Sequence, residues 1–152
     1  MTSVAIAPCT ISELENAPNM HELMEEYAAE SAIEGLPHPS AKAEIYKRIE
    51  ESGMLATIGA KIDQELIGFV LVLASVIPHY GVNIATTESF FVSKPYRKTG
   101  AGIKLLRAAE EHAKQVGSPG LLISAPFGGT LAEVLPRQGY VETNRVFMKR
   151  FA

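Results

Sequence analysis

Residues 90–103 read Phe-Phe-Val-Ser-Lys-Pro-Tyr-Arg-Lys-Thr-Gly-Ala-Gly-Ile, an order of residue types suited to holding a polyanion. An apolar run ends at Val92 or Ser93, Pro95 stops it, and a helical pattern opens at Gly100 or soon after. The first N–H groups of a helix have no intrahelical acceptor, and the aligned peptide dipoles leave partial positive charge there. Together these make an anion site. Gly100 and Gly102 lack a Cβ, so the backbone can approach a phosphate closely. Arg97 and Lys98 add formal charge, and Thr99 adds a hydroxyl donor. A diphosphate could accept from several of these groups at once. The alternative is a tight helix start with no ligand. The segment is not a dinucleotide fingerprint, which would need glycine at Leu105, nor a Walker A loop, since no Gly-Lys-Ser/Thr occurs.

A general base would complement such a site, and Glu88 is the candidate. It shares strand parity with Phe90 and Val92, which sends the three side chains to one face; the alternative is a solvent-facing or salt-bridged glutamate. His79 and Tyr80 lie in a turn with Pro78 and Gly81, and read as surface before they read as substrate contacts. His38 stands between Pro37 and Pro39. No metal-ligand spacing links it with His21, His79 or His112, and no metal is expected. Glu25, Glu26, Glu30 and Glu34 fall on one helix and read as a solvated face or as an attractor for a cationic amine.

The elements that must position these residues follow from periodicity. Residues 4–7 suit a short strand. Residues 19–34 recur at helical spacing through Met20, Leu23, Met24 and Tyr27, with Asn16 or Asn19 near the start. After the breaker 35–39, Ser40 can cap a second helix whose apolar side is Ala43, Ile45, Tyr46 and Ile49. Strands follow at 54–60, 65–77 and 82–93. The clearest helix runs over 100–116, with Leu105, Leu106, Ala109, Ala113 and Val116 on one stripe. Residues 121–125 form an apolar run of strand length, and 130–137 a short helix disturbed by Pro136. Residues 140–142 and 145–151 can close as an antiparallel pair around Thr143 and Asn144. This order predicts an α/β or α+β layered domain with a mixed sheet and helices packed on it.

At 152 residues the chain has the size of one domain, spanning 1–152, and no composition shift divides it. The net charge is −3 with no basic block, so binding nucleic acid by bulk charge is not expected. The longest apolar stretch, 66–77, is broken by Gly68 and Ser75 and is too short for a bilayer, which needs about 20 apolar residues. The N-terminus lacks a basic start and a long apolar run. With a single cysteine, Cys9, no intramolecular disulfide can form. The expectation is a cytoplasmic protein without membrane contact.

The strand ending in Phe91-Val92 followed by Arg97-Lys-Thr-Gly-Ala-Gly102 resembles the Arg/Gln-x-x-Gly-x-Gly/Ala signature of the GNAT acetyltransferase superfamily. Residues 60–69 look like that family's preceding hairpin, and Gln138-Gly-Tyr-Val141 like its Gly-Phe/Tyr step. The likeness spans roughly residues 54–151. It implies a mixed, mostly antiparallel central sheet flanked by helices, with acetyl-CoA as cosubstrate and an amine as acceptor. It further implies that the backbone of Phe90, Phe91 and Val92 pairs with the acetyl-pantetheine arm like an added strand. Arg97, Lys98, Thr99, Gly100, Ala101, Gly102 and Ile103 would hold the pyrophosphate, and Glu88 would take the amine proton through water. The chain departs from the family at the general acid. The position of the usual tyrosine is Leu135, and that of a frequent asparagine is Gly128; water, Ser124 or Tyr140 would have to substitute. The C-terminal strands could also pair across a homodimer, as in other members. Three readings stand: an N-acetyltransferase acting on a primary amine, an acyl-CoA-binding module with little or no catalysis, and a protein that keeps only the fold.

Overall fold

A computed structural model of the chain describes residues 3–40 and 42–151. Met1 and Thr2, part of the N-terminal stretch read above, lie outside them, as do Ala41 and Ala152. The chain runs β1 (Ala5–Cys9), α1 (Ile11–Glu15), α2 (Met20–Ser31), α3 (Ala43–Glu51), β2 (Leu55–Ile62), β3 (Glu65–Ile77), β4 (Val82–Val92), α4 (Ala101–Gln115), β5 (Leu121–Leu122) and α5 (Thr130–Val134), with 3-10 turns at Lys94–Tyr96 and Leu135–Gln138. The five strands form one sheet in sequence order. β1 to β4 are antiparallel neighbours, and β5 joins β4 in parallel. This is the mixed, mostly antiparallel sheet the resemblance implies. Among the described residues no helix is long and apolar enough to cross a membrane.

β3 is apolar along most of its length because both of its faces are covered. Ile67, Val70 and Val72 meet Leu105 and Ala109 of α4 on one side. Leu66, Phe69 and Leu71 meet Ile11 of α1, Leu23 of α2 and Phe91 on the other. Leu105 is fully buried, which contributes about 1.5–3 kcal/mol by removal of its surface from water. The α4 stripe anticipated from the 3.6-residue period is the one that packs.

Several boundaries differ from the sequence reading. α1 was not anticipated, although Thr10 and Glu13 form a full capping box: the Glu13 N–H donates to Thr10 Oγ1 and the Thr10 N–H donates to Glu13 Oε1. Ser40 does not cap α3, which begins at Ala43 after Lys42. Asn19 precedes α2 without capping it. Its side-chain amide donates to the Leu66 carbonyl at 2.7 Å and its Oδ1 accepts the Leu66 N–H at 3.2 Å, tying α2 to β3.

The run 121–125 yields only Leu121–Leu122 as strand, because the chain leaves the sheet toward Pro126 and a turn closed by Gly129 N–H on the Pro126 carbonyl. The antiparallel pair expected over 140–142 and 145–151 is not formed, and residues 140–151 carry no regular structure. A hairpin is marginal unless it docks on a sheet, and the available edge, β5, is only two residues long. Val141, Val146, Phe147 and Phe151 stay exposed, and Arg150 lies 3.7 Å from Glu34.

Gly68, opposite Val92 in the β3–β4 ladder, is required by close approach. A Cβ there would lie 2.7 Å from the Phe91 carbonyl oxygen and 3.1 Å from Val92 Cγ2. Gly68→Ala is therefore expected to cost about 1–3 kcal/mol in urea denaturation. Gly120→Ala, whose Cβ meets nothing within 4 Å, should stay within about 0.5 kcal/mol. Equal effects of the two would contradict the packing at this point.

Candidate active site

β4 carries an irregularity that decides where its side chains point. Leu71 faces Ser89 and Val72 faces Thr87, which leaves Glu88 as an extra, unpaired residue. Such a bulge re-aims the side chain it contains. Phe90 and Val92 pack on the α4 side, whereas Glu88 turns to α3, where Tyr46 Oη donates to its Oε1 at 2.7 Å. The parity argument that grouped Glu88 with Phe90 and Val92 is thereby corrected: the inserted residue breaks the period of two. Burial pushes the Tyr46 hydroxyl pKa well up, and the bond to Glu88 adds to the shift. The phenol is a fixed donor to the carboxylate.

Among the described residues, β4 has no strand on its outer side beyond this bulge. Its pairing with β5 covers only Ala85–Leu121 and Thr86–Leu122. Ser118 anchors the chain just before this pairing, accepting the Ala85 N–H at 2.9 Å and donating to the Gly120 carbonyl at 2.6 Å. A groove of about 420 Å³ opens between the end of β4 and the segment 126–135. One wall is Phe90, Phe91, Val92 and the start of α4 at Gly102, Ile103 and Leu106. The other runs from Pro126 to Thr130 and on to Leu135, and Tyr27, Glu30 and Ser31 of α2 close the end.

The turn at the base of this groove is clamped by α2. Glu26 accepts from the Ser93 hydroxyl at 2.8 Å and from the Lys94 N–H at 2.9 Å. Arg97 donates from Nε to the Val92 carbonyl at 2.8 Å and from Nη2 to both oxygens of Glu30 at 2.8 and 2.7 Å, while its guanidinium lies 5.5 Å from the centre of the Phe91 ring. Arg97, anticipated as a free cation, is thus engaged as a brace. Of the four glutamates read as a solvated face or an amine attractor, Glu26 and Glu30 are the other half of the clamp, and Glu34 lies beyond the end of α2. Thr99, anticipated as a ligand donor, gives its one hydroxyl proton to the Tyr96 carbonyl at 2.6 Å and accepts the Ala101 N–H at 3.3 Å. Ala101 is fully buried under α4.

The free donors are fewer and are mostly backbone. Among the described residues the N–H groups of Lys98, Gly100, Gly102 and Ile103 have no protein acceptor, and the Lys98 ammonium has no ion-pair partner. Gly100 holds φ at +87°, a left-handed value that a side chain would strain. A Cβ on Gly102 would meet only Val92 Cγ2, at 3.9 Å.

The far wall has no acid. Leu135 lines it as a buried aliphatic side chain, and Gly128 offers none. Tyr140 is not in the groove: its hydroxyl donates to Glu110 at 2.7 Å, and burial together with that carboxylate raises its pKa. Ser124 is exposed and outside the lining. The hydroxyl-bearing lining residues are Tyr27, Ser31 and Thr130. Tyr27 escaped the sequence reading as a site residue because it sits in the apolar register of its helix. Its ring lies 5.6 Å from both Phe69 and Phe91, and burial followed by the charge on Glu88 raises its pKa. His79 and Tyr80 occupy the β3–β4 turn, at the opposite end of β4 from the clamped turn. Among the described residues no three His, Cys, Asp or Glu side chains gather as a metal site.

A sequence-family model described as the acetyltransferase (GNAT) family matches residues 18–125. The chain belongs to this family. No curated protein matches the GNAT chain by sequence. Solved structures share its fold at low identity. Ribosomal-protein-alanine N-acetyltransferase from Brucella melitensis biovar Abortus 2308 has a TM-score of 0.73 at 18% identity, covering 99% of this chain and 100% of that one. An aminoglycoside acetyltransferase from an uncultured soil metagenomic sample gives 0.73 at 14%, covering 98% and 97%. Glucosamine-6-phosphate N-acetyltransferase from Arabidopsis thaliana gives 0.71 at 13%, covering 98% of each chain.

The lone cysteine is unsuited to carrying an acyl group. Cys9 lines neither the groove nor its walls, and burial, then Glu13, pushes its thiol up from 9.0 to about 11. A thiol two units above its ordinary value holds roughly 10²-fold less thiolate at pH 8. Iodoacetamide at pH 8 should therefore alkylate native protein far more slowly than urea-unfolded protein. Because the folded pKa is the higher one, unfolding releases this proton between the two values. The thiol's contribution to stability is then full below pH 9 and falls as pH rises toward 11. Equal alkylation rates in the two states would contradict the burial.

Proposed function

We propose that this GNAT protein is an acetyl-CoA-dependent N-acetyltransferase that transfers acetyl to a primary amine of a small molecule or peptide by direct attack in a ternary complex. The observation that carries the reading is an open β4 edge running straight into a helix start whose N–H groups lack acceptors. The backbone of Phe90, Phe91 and Val92 pairs with the amides of the pantetheine arm. The N–H groups of Lys98, Gly100, Gly102 and Ile103, with the Lys98 ammonium, take the pyrophosphate. Arg97, Thr99 and Ala101 act on the same ligand through the shape of the turn: Arg97 braces it to α2, and Thr99 and Ala101 fix where α4 begins.

In the chemical step the amine lone pair attacks the thioester carbonyl. The C–N bond forms, the C–S bond breaks, and the thiolate leaves with the electron pair and is protonated from water. The amine gives its surplus proton to Glu88 through water, and Tyr46 holds that carboxylate in place. Holding both reactants supplies most of the acceleration, and the base adds about 10²–10⁴-fold. A missing acid is tolerable because an alkyl thiol has a pKa of about 8.5, so its thiolate is a competent leaving group near neutrality.

A second reading, an acyl-CoA-binding module with little or no catalysis, is favoured by Leu135 and Gly128, which carry no polar side chain at the two positions where the family usually has a tyrosine and an asparagine. Calorimetry with CoA and an assay of free thiol release separate the two. For the enzyme, Glu88→Gln is expected to keep the CoA Kd and lower kcat by about 10²-fold. Gly102→Val, whose branches project into the groove, should weaken CoA by about tenfold or more. Binding without thiol release across a broad amine panel selects the second reading, and unchanged CoA affinity in Gly102→Val defeats both.

A further inference from the structure

A second cavity, of about 360 Å³, lies on the sheet face covered by α1, α2 and α3. It meets the groove at Tyr27, which lines both. Its walls are mainly hydrocarbon: Ile11 and Leu14 from α1, Met20 and Met24 from α2, and Phe69 and Leu71 from β3. Its polar members are few, and they are not distributed at random. Glu15 is paired with Lys47 at 3.0 Å, and His21 is exposed on the α2 surface. Tyr46 and Ser89 lie at the β4 side, where the Tyr46 hydroxyl is bonded to Glu88 at 2.7 Å. Among the described residues no Lys or Arg lines the cavity.

We infer that this cavity holds the acceptor, and that the acceptor is a primary amine on an apolar body, an alkyl or arylalkyl amine. The inference rests on the acyl-transfer reading above and adds the substrate class to it. A hydrocarbon wall rewards burial of carbon and penalises hydroxyls or peptide groups left without partners. The lining phenol of Tyr46 is bonded to the Glu88 carboxylate just outside the cavity, and a site beside a carboxylate, with no Lys or Arg among the described residues of its walls, favours an ammonium group. The two preferences are spatially ordered. The hydrocarbon lies between the helices and β3, whereas the carboxylate sits on the β4 bulge, on the same face as Ser89. An amine bound with its carbon body among Met20, Met24 and Leu71 presents its nitrogen to Glu88, beside the Tyr27 wall shared with the groove. Without the bulge Glu88 would face α4, and Tyr46 at this end of the cavity would lose its carboxylate partner.

The test uses the full chain with acetyl-CoA and four acceptors: phenethylamine, hexylamine, kanamycin and an alanine-initiated peptide. The expected result is a KM for the two apolar amines lower than for kanamycin or the peptide by about tenfold or more. Ala43→Phe, which fills the cavity from the start of α3, and Met24→Glu, which charges its wall, should each raise that KM by a similar factor while leaving the CoA Kd unchanged. Preference for kanamycin or the peptide, or indifference of the apolar amines to both substitutions, overturns the inference while the acyl-transfer reading stands. If no amine is acetylated, calorimetric titration of phenethylamine into the wild-type protein and the two variants decides. Binding that both variants abolish upholds the cavity's specificity, and no binding overturns it, whereas loss of CoA affinity counts against the acyl-transfer reading alone.

Discussion

The geometry of the site follows from one break in the hydrogen-bond ladder: β4 keeps a parallel partner for two residues and then has none. Backbone N–H and C=O groups left without partners are costly unless water or a ligand takes them. An open strand edge inside a folded domain therefore survives only where the structure holds it open. Two sets of contacts do so here. Arg97 takes the Val92 carbonyl at the end of the strand. The α2 carboxylates hold the turn that follows. The edge, the turn and the start of α4 are thus one rigid unit, braced from a helix that lies more than sixty residues earlier in the chain.

The second constraint is the extra residue in β4. A sheet with both faces covered has two cores, and the parity of each strand assigns every side chain to one of them. The insertion at Glu88 changes that assignment locally, so Phe90 and Val92 serve the α4 core while Glu88 reaches Tyr46 across the other face. The same strand thereby contributes its edge to the groove, its apolar residues to both cores and its carboxylate to Tyr46, which lines the second cavity. Tyr27, packed between Phe69 and Phe91, is the side chain common to both concavities.

Much of this was legible locally. The α4 stripe, the hairpin strands and the phosphate-type turn each depend on residues close in sequence, whose spacing has a direct physical meaning. The C-terminal strands failed because alternation alone cannot supply the sheet edge a hairpin must dock on. Ser40 failed as a cap, and α1 was missed although Thr10 and Glu13 spell its capping box. Tyr27 and Tyr46 escaped, and Glu26 and Glu30 were read as a solvated face or an amine attractor and not as a clamp, because in one dimension all four look like ordinary helix surface or helix core. Their partners lie 42 to 68 positions away, and no periodicity reports such a pairing.

By itself the sequence determined the family, the layered fold and the place where a helix start leaves its amides free, since all three are encoded by residue type at short spacing. The tertiary structure alone decided which of those groups remain free. Arg97 and Thr99 were consumed by the turn, Glu88 was moved to the other face by a single unpaired residue, and the second cavity acquired its hydrocarbon walls from three helices and β3. Each of these is a competition between partners distant in the chain, settled only when packing brings them within hydrogen-bond reach.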